Sequence, residues 1–74
     1  MDYHLFLDRA AIDGKLVEVR TTNGEAIQAY PLYLDEAYED LGYIFETLEG
    51  SLTGIFFADI KSAKTVERSK EAAS

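Results

Sequence analysis

The chain contains no cysteine, and that one absence removes a disulfide framework, a thiolate zinc site and a cysteine nucleophile together. Cohesion has to come from packing or from oligomerisation, and the composition fits a reducing compartment. Basic residues are scarce as well: seven Lys and Arg stand against fourteen Asp and Glu, a formal net charge of −7. Binding to a phosphate backbone draws its affinity from cations that displace condensed counterions. A repulsive long-range field therefore argues against DNA, RNA and anionic membranes as direct partners, and it favours a basic one. The same charge also serves plain solubility. Histidine occurs once, at His4, without a serine or cysteine partner pattern, so it reads as structural or exposed and not as a general base. No glycine-rich phosphate loop is present. No apolar run reaches the roughly 18–20 residues that span a bilayer, and Met1-Asp2-Tyr3-His4 lacks the basic and apolar regions of a secretory signal. These absences lead to the expectation of a soluble, cytoplasmic protein that is not an enzyme and needs no cofactor or metal.

What is present suffices for one small core. Hydrophobic residues make up 47% of the 74 positions, with five tyrosines and four phenylalanines, near the lower size at which a single core supports a fold without staples. Residues 1–66 are expected to form one domain. Residues 67–74 are charged or small throughout and are expected to fray.

The apolar pattern changes period along the chain. Residues 3–12 fit a short helix or an N-terminal strand, with Leu5, Asp8, Arg9 and Ile12 at helical spacing; Asp13-Gly14 supplies a helix stop and favours the helix. From Leu16 to Thr21 β-branched residues alternate with charged ones, which predicts a strand. Asn23-Gly24 then marks a hairpin. A two-residue loop would mix polar and apolar residues on one face, whereas a three-residue loop, Thr22-Asn23-Gly24, sets Val19 opposite Ile27 and Val17 opposite Ala29. The second strand is expected over 25–34, with Pro31 at an edge, bend or bulge because it lacks a ladder donor. Residues 35–41 read as a polar loop or one helical turn. Two further strands, 43–49 and 52–60, are expected around a two-residue Gly50-Ser51 turn, which would place Phe45 opposite Phe56 and Ile44 opposite Phe57 as the densest core. Gly54 suggests a bend or a close backbone approach. A short last strand is expected over 62–66.

The stretch Gly14-Lys15-Leu16-Val17-Glu18-Val19-Arg20-Thr21-Thr22-Asn23-Gly24-Glu25, continued by Tyr33-Leu34-Asp35, resembles the first motif of Sm-like proteins. In that family a glycine precedes an alternating strand, a turn glycine follows, and an acidic residue closes a long bent strand. The resemblance covers residues 15–66. It implies a mainly β fold: a small, five-stranded, strongly bent antiparallel barrel of Sm-like or SH3-like type, with a short N-terminal helix or helical turn. Pro31-Leu32-Tyr33-Leu34, Gly42-Tyr43-Ile44-Phe45 and Phe57-Ala58-Asp59-Ile60-Lys61-Ser62-Ala63 are similar to segments of WYL domains. The basic residues of that family are missing, however: Gln28-Ala29-Tyr30 precedes Pro31, and Asp59 stands where an arginine is expected. Its ligand- or RNA-binding role is therefore the alternative reading and not the first. The Rho-inhibiting antiterminators, small acidic Sm-like proteins that block a nucleic-acid-binding surface of their target, are similar in size, charge and layout.

The sharpest local feature is the acidic run Asp35, Glu36, Glu39 and Asp40, with Tyr38 inside it. On a helical turn its like-charge neighbours would cost only a few tenths of a kcal/mol, so it suits an ordinary solvated loop. It also suits contact with a basic partner, with Tyr38 as an aromatic anchor. The spacing is not that of a calcium loop. Tyr30, Tyr33, Tyr38 and Tyr43 fit either a core or a binding surface. The function this implies is a protein-interaction module, an inhibitor or regulator whose acidic surface docks on a basic, nucleic-acid-binding protein. Exposed strand edges would also allow homo-oligomers.

Overall fold

The computed structural model describes residues 3–36 and 41–66; Tyr38, Glu39, Asp40 and the 67–74 tail lie outside them. The chain opens with helix α1, Tyr3–Asp13. Its buried stripe is Tyr3, Phe6, Leu7 and Ala10, of which Leu7 and Ala10 are fully enclosed. This is the alternative register to Leu5, Asp8, Arg9 and Ile12; burying that set would desolvate a carboxylate and a guanidinium. Leu5 and Ile12 accordingly stand 66% and 80% exposed. The helix ends where expected. Gly14 takes a left-handed φ of 66°, Lys15 N–H donates to Ala10 O at 2.9 Å and Gly14 N–H to Ala11 O at 3.2 Å, the paired closure of a Schellman cap.

Five antiparallel strands follow: β1 Val17–Thr21, β2 Ala26–Asp35, β3 Gly42–Thr47, β4 Leu52–Phe56 and β5 Ile60–Thr65, with a 3-10 turn Phe57–Asp59 before the last. They form one sheet in the order β4-β3-β2-β1-β5. The fold is thus mainly β with one short N-terminal helix. Among the described residues no ladder joins β4 to β5, so the sheet is open where the expected barrel would close. No helix among them is long and apolar enough to cross a membrane.

The first hairpin has the three-residue loop, with Val17 opposite Ala29 and Val19 opposite Ile27; Gly24 has φ 95°. Pro31 sits at a register shift between Pro31 and Tyr33. Backbone groups of Ile27 and Ala29 point toward β1, and by alternation so would a Pro31 donor, one step past the last β1–β2 pair. No ladder bond is therefore lost there.

The second hairpin departs from expectation. Its loop has three residues, Leu48-Glu49-Gly50: Thr47 N–H donates to Ser51 O at 2.8 Å, and Phe45 faces Thr53 while Ile44 faces Gly54. The cause is the phase of Gly50, whose φ of 90° is spent at the third loop position as in the first hairpin. In both, a threonine hydroxyl opening the loop accepts an N–H four residues on, from Glu25 to Thr21 at 3.2 Å and from Ser51 to Thr47 at 3.1 Å. Thr21 Oγ1 also bonds Asn23 Oδ1. The consequence is that Phe56, expected in the core, lies 41% exposed, and Phe45, buried as expected, has Tyr43 and Ile55 as its neighbours in the interior. The strand expected over 52–60 also stops at Phe56 and turns.

Val17, Val19, Ala29, Ala63, Ile60 and Leu7 complete the core. Each large apolar side chain enclosed there contributes about 1.5–3 kcal/mol of transfer free energy.

Candidate functional site

Alternation along a strand sends residues to opposite faces, and the register defines the outer face of β2, β3 and β4 as three rows. Tyr33 aligns with Ile44 and Gly54; Asp35 aligns with Gly42 and Phe56; Tyr30 aligns with Glu46 and Leu52. The other alternating set, Leu34, Tyr43, Phe45 and Ile55, faces the core. On the outer face Tyr33 is 55%, Leu52 64% and Phe56 41% exposed, while Tyr30 and Ile44 are half-buried. The surface is contiguous across β3 and β4, because Ile44 Cδ1 lies 3.3 Å from the position a Cβ on Gly54 would take. At Gly42 a Cβ would fall 2.8 Å from Ile55 O. Glycine at this position is what lets the two strands approach.

The charge around this apolar face has one sign. Glu46 is exposed within it, half-buried Asp35 closes one row, and exposed Glu36 follows directly. Lysine and arginine are absent from the whole stretch between Arg20 and Lys61, which carries eight Asp and Glu residues. The polarity changes toward β1 and β5, where Gln28 Nε2 donates to Glu18 Oε1 at 3.3 Å and Arg20 Nε lies 3.3 Å from Glu18 Oε2. A second open groove beside α1 is lined by Leu5, Phe6 and Ile12, with Asp8, Arg9, Asp13 and Lys15 around them. Its mixed charges select no partner sign.

Of the expected site, the structure describes Asp35 and Glu36. Asp35 is the last residue of β2 and faces Gly42, and Glu36 follows it; Tyr38, Glu39 and Asp40 fall outside the described residues. The tyrosines divide by face: Tyr30 and Tyr33 lie outside, and Tyr43 is core. Sequence reasoning missed Leu52 and Phe56 because the assumed turn buried Phe56. The signal that finds this face is the one-signed charge of the 21–60 stretch combined with the three-residue loop phase. Among the described residues no group of three or more His, Asp or Glu is placed to hold a metal ion.

One polar chain lies between helix and sheet. Tyr43 Oη donates to Asp8 Oδ1 at 2.6 Å, and His4 Nε2 lies 2.9 Å from Asp8 Oδ2 one turn earlier. Phe57 stacks at 6.4 Å from both the His4 and the Tyr43 rings. Burial pushes the Tyr43 phenol well above its ordinary value, and the hydrogen bond to Asp8 and that carboxylate's charge push the same way. The arrangement clamps α1 onto β3.

The sign of the linked pH effect follows. Above pH about 10 an unfolded tyrosine ionises while Tyr43 in the fold stays protonated, so the unfolded state is favoured as pH rises. The stability this group contributes is fully present below that pH and falls above it by about 1.4 kcal/mol per pH unit. Tyr43→Phe is expected to cost about 1 kcal/mol at neutral pH and to remove this part of the alkaline slope. Urea titrations of both proteins from pH 8 to pH 11 or so check it.

No family model matches the chain, and no curated protein or solved structure is similar to it at a significant level.

Proposed function

We propose that this chain is a non-enzymatic protein-interaction module that docks on a basic surface of a partner, such as the surface by which a nucleic-acid-binding protein holds phosphates. The observation that carries the reading is the outer face of β2, β3 and β4: Tyr33, Ile44, Leu52 and Phe56 as an apolar centre with acidic side chains alone as its charges. Aromatic and aliphatic centres supply the affinity of an interface by excluding water. Rim charges set the sign of the partner and speed its approach. Asp35 lies at one end of this face, and in the sequence Glu36, Tyr38, Glu39 and Asp40 continue the acidic run from it. A docked module of this kind would occlude a phosphate-binding surface and inhibit or regulate its owner. Direct binding of DNA or RNA is disfavoured by the same field.

The helix, the five strands, the first turn at Asn23-Gly24 and the long second strand closed by Asp35 support the likeness to Sm-like and SH3-like small barrels. In that reading the open side, between β4 and β5, is the seam of a barrel.

The test separates face from fold. Leu52→Ser combined with Phe56→Ser should leave the thermal midpoint near that of the parent, because both side chains are largely outside the core. The same variant should weaken binding of the basic protein captured by the parent chain about ten-fold or more. Equal capture by parent and variant would sink the reading.

A further inference from the structure

The two edges of the sheet are finished differently. On β5, Lys61 and Lys64 place charges along the edge, and Lys61 O already accepts a bond from Tyr3 Oη of α1 at 3.0 Å. Charged side chains and covering elements are the usual protection of an edge against pairing. On β4 the sequence is Leu52-Thr53-Gly54-Ile55-Phe56, with no charge, no proline and a glycine at its centre. That edge is unprotected.

The phase of the ladder shows which groups it offers. Thr47 N–H bonds Ser51 O at 2.8 Å and Phe57 N–H bonds Leu41 O at 2.9 Å, so in an antiparallel pair Thr53 and Ile55 also turn their backbone groups toward β3. Leu52, Gly54 and Phe56 turn theirs outward. Among the described residues Leu52 and Gly54 make no backbone bond on that side, and neither does the Phe56 N–H, while the Phe56 carbonyl opens the 3-10 turn Phe57–Asp59. A cleft of about 440 Å³ runs beside them, lined by Thr53, Gly54, Ile55 and Phe56 of β4, by the first hairpin, including Glu25 and Ile27, and by Asp59, whose carbonyl accepts from Thr22 N–H of that hairpin at 2.9 Å. Its charged residues, Glu25 and Asp59, are both acidic.

Resting on the docking reading above, we infer that β4 takes an extended basic segment of the partner protein as an added strand. The segment's backbone bonds Leu52, Gly54 and the N–H of Phe56. Its side chains alternate. One set is apolar and lies beside Leu52 and Phe56, over Gly54. The other set is lysine or arginine, with stems along the cleft and charges at Glu25 and Asp59. A second copy of the chain fits the edge less well. Each copy carries −7, and the carbonyl of Lys61 on its other edge is already taken.

The probe is a synthetic peptide of alternating lysine and valine, added to the full chain at low salt and followed by amide exchange. Exchange at Leu52, Gly54 and Phe56 should slow about ten-fold or more on saturation, and N-methylation of every second peptide nitrogen should weaken binding about ten-fold. Binding that shifts the Tyr33 and Ile44 signals with unslowed exchange at β4, and equal affinity for the N-methylated form, overturns strand addition while the docking face stands. No binding to either peptide overturns both. Equal binding of a glutamate–valine peptide overturns the basic specification, and protection at the three amides before any peptide is added assigns the edge to a second copy or to the chain's own tail.

Discussion

Phe45→Ala is expected to cost about 3–5 kcal/mol, the range for emptying a fully enclosed aromatic site, and Phe56→Ala is expected to cost under about 1 kcal/mol. Phe45 is wholly buried, aligned between Pro31 on β2 and Thr53 on β4, with its ring 5.7 Å from that of Tyr43. A chain of 74 residues carries a total stability of roughly 4–11 kcal/mol. Loss of Phe45 therefore removes a large share of it, enough to populate the unfolded state at ambient temperature. Phe56 faces outward and leaves no cavity when truncated. Because both are phenylalanines in neighbouring strands, the pair isolates position from residue type. Urea midpoints measure it, and a Phe56→Ala cost equal to that of Phe45→Ala would mean that the second hairpin has the two-residue loop and that Phe56 is core.

That contrast also marks how far local pattern carries. The first hairpin is legible because Val17, Val19, Ile27 and Ala29 alternate cleanly, and one loop length alone puts them on one face. The second is not, because Tyr43, Ile44, Phe45, Ile55, Phe56 and Phe57 are apolar on both faces. Every register then pairs apolar with apolar, and the choice falls to Gly50. The threonine-to-glycine spacing shared by Thr21-Thr22-Asn23-Gly24 and Thr47-Leu48-Glu49-Gly50 holds that information, but only to a reader who compares the two loops. The helix shows the same limit. Its stop at Gly14 is local, whereas the choice of Tyr3, Phe6, Leu7 and Ala10 as the buried stripe depends on what the sheet presents to it.

The candidate site was legible as a sign and not as a surface. Acidic excess in the middle of the chain is evident from composition, and the 35–40 run stands out within it. The apolar centre that gives the charge something to steer toward arises only when a pleat and a register bring Tyr33, Ile44, Leu52 and Phe56 from three strands to one side. Doubly apolar β3 and β4 are thus both the reason the register was ambiguous and the reason an apolar face remains outside once the core is full.

The acidic rim gives the most direct test of the account. Glu36→Lys, Glu39→Lys and Asp40→Lys add two charges each and Asp35→Asn adds one, which takes the formal charge from −7 to zero. Asparagine is used at Asp35 because that residue is half-buried at the strand end. Affinity for the captured basic partner should be measured for both proteins across salt from about 0.05 to 0.5 M, over which screening lengths shrink several-fold. The parent's affinity is expected to fall steeply with salt, and the variant is expected to bind about a hundred-fold more weakly at low salt with a nearly flat dependence. Unchanged affinity and an unchanged salt slope in a variant that is still folded would contradict the account.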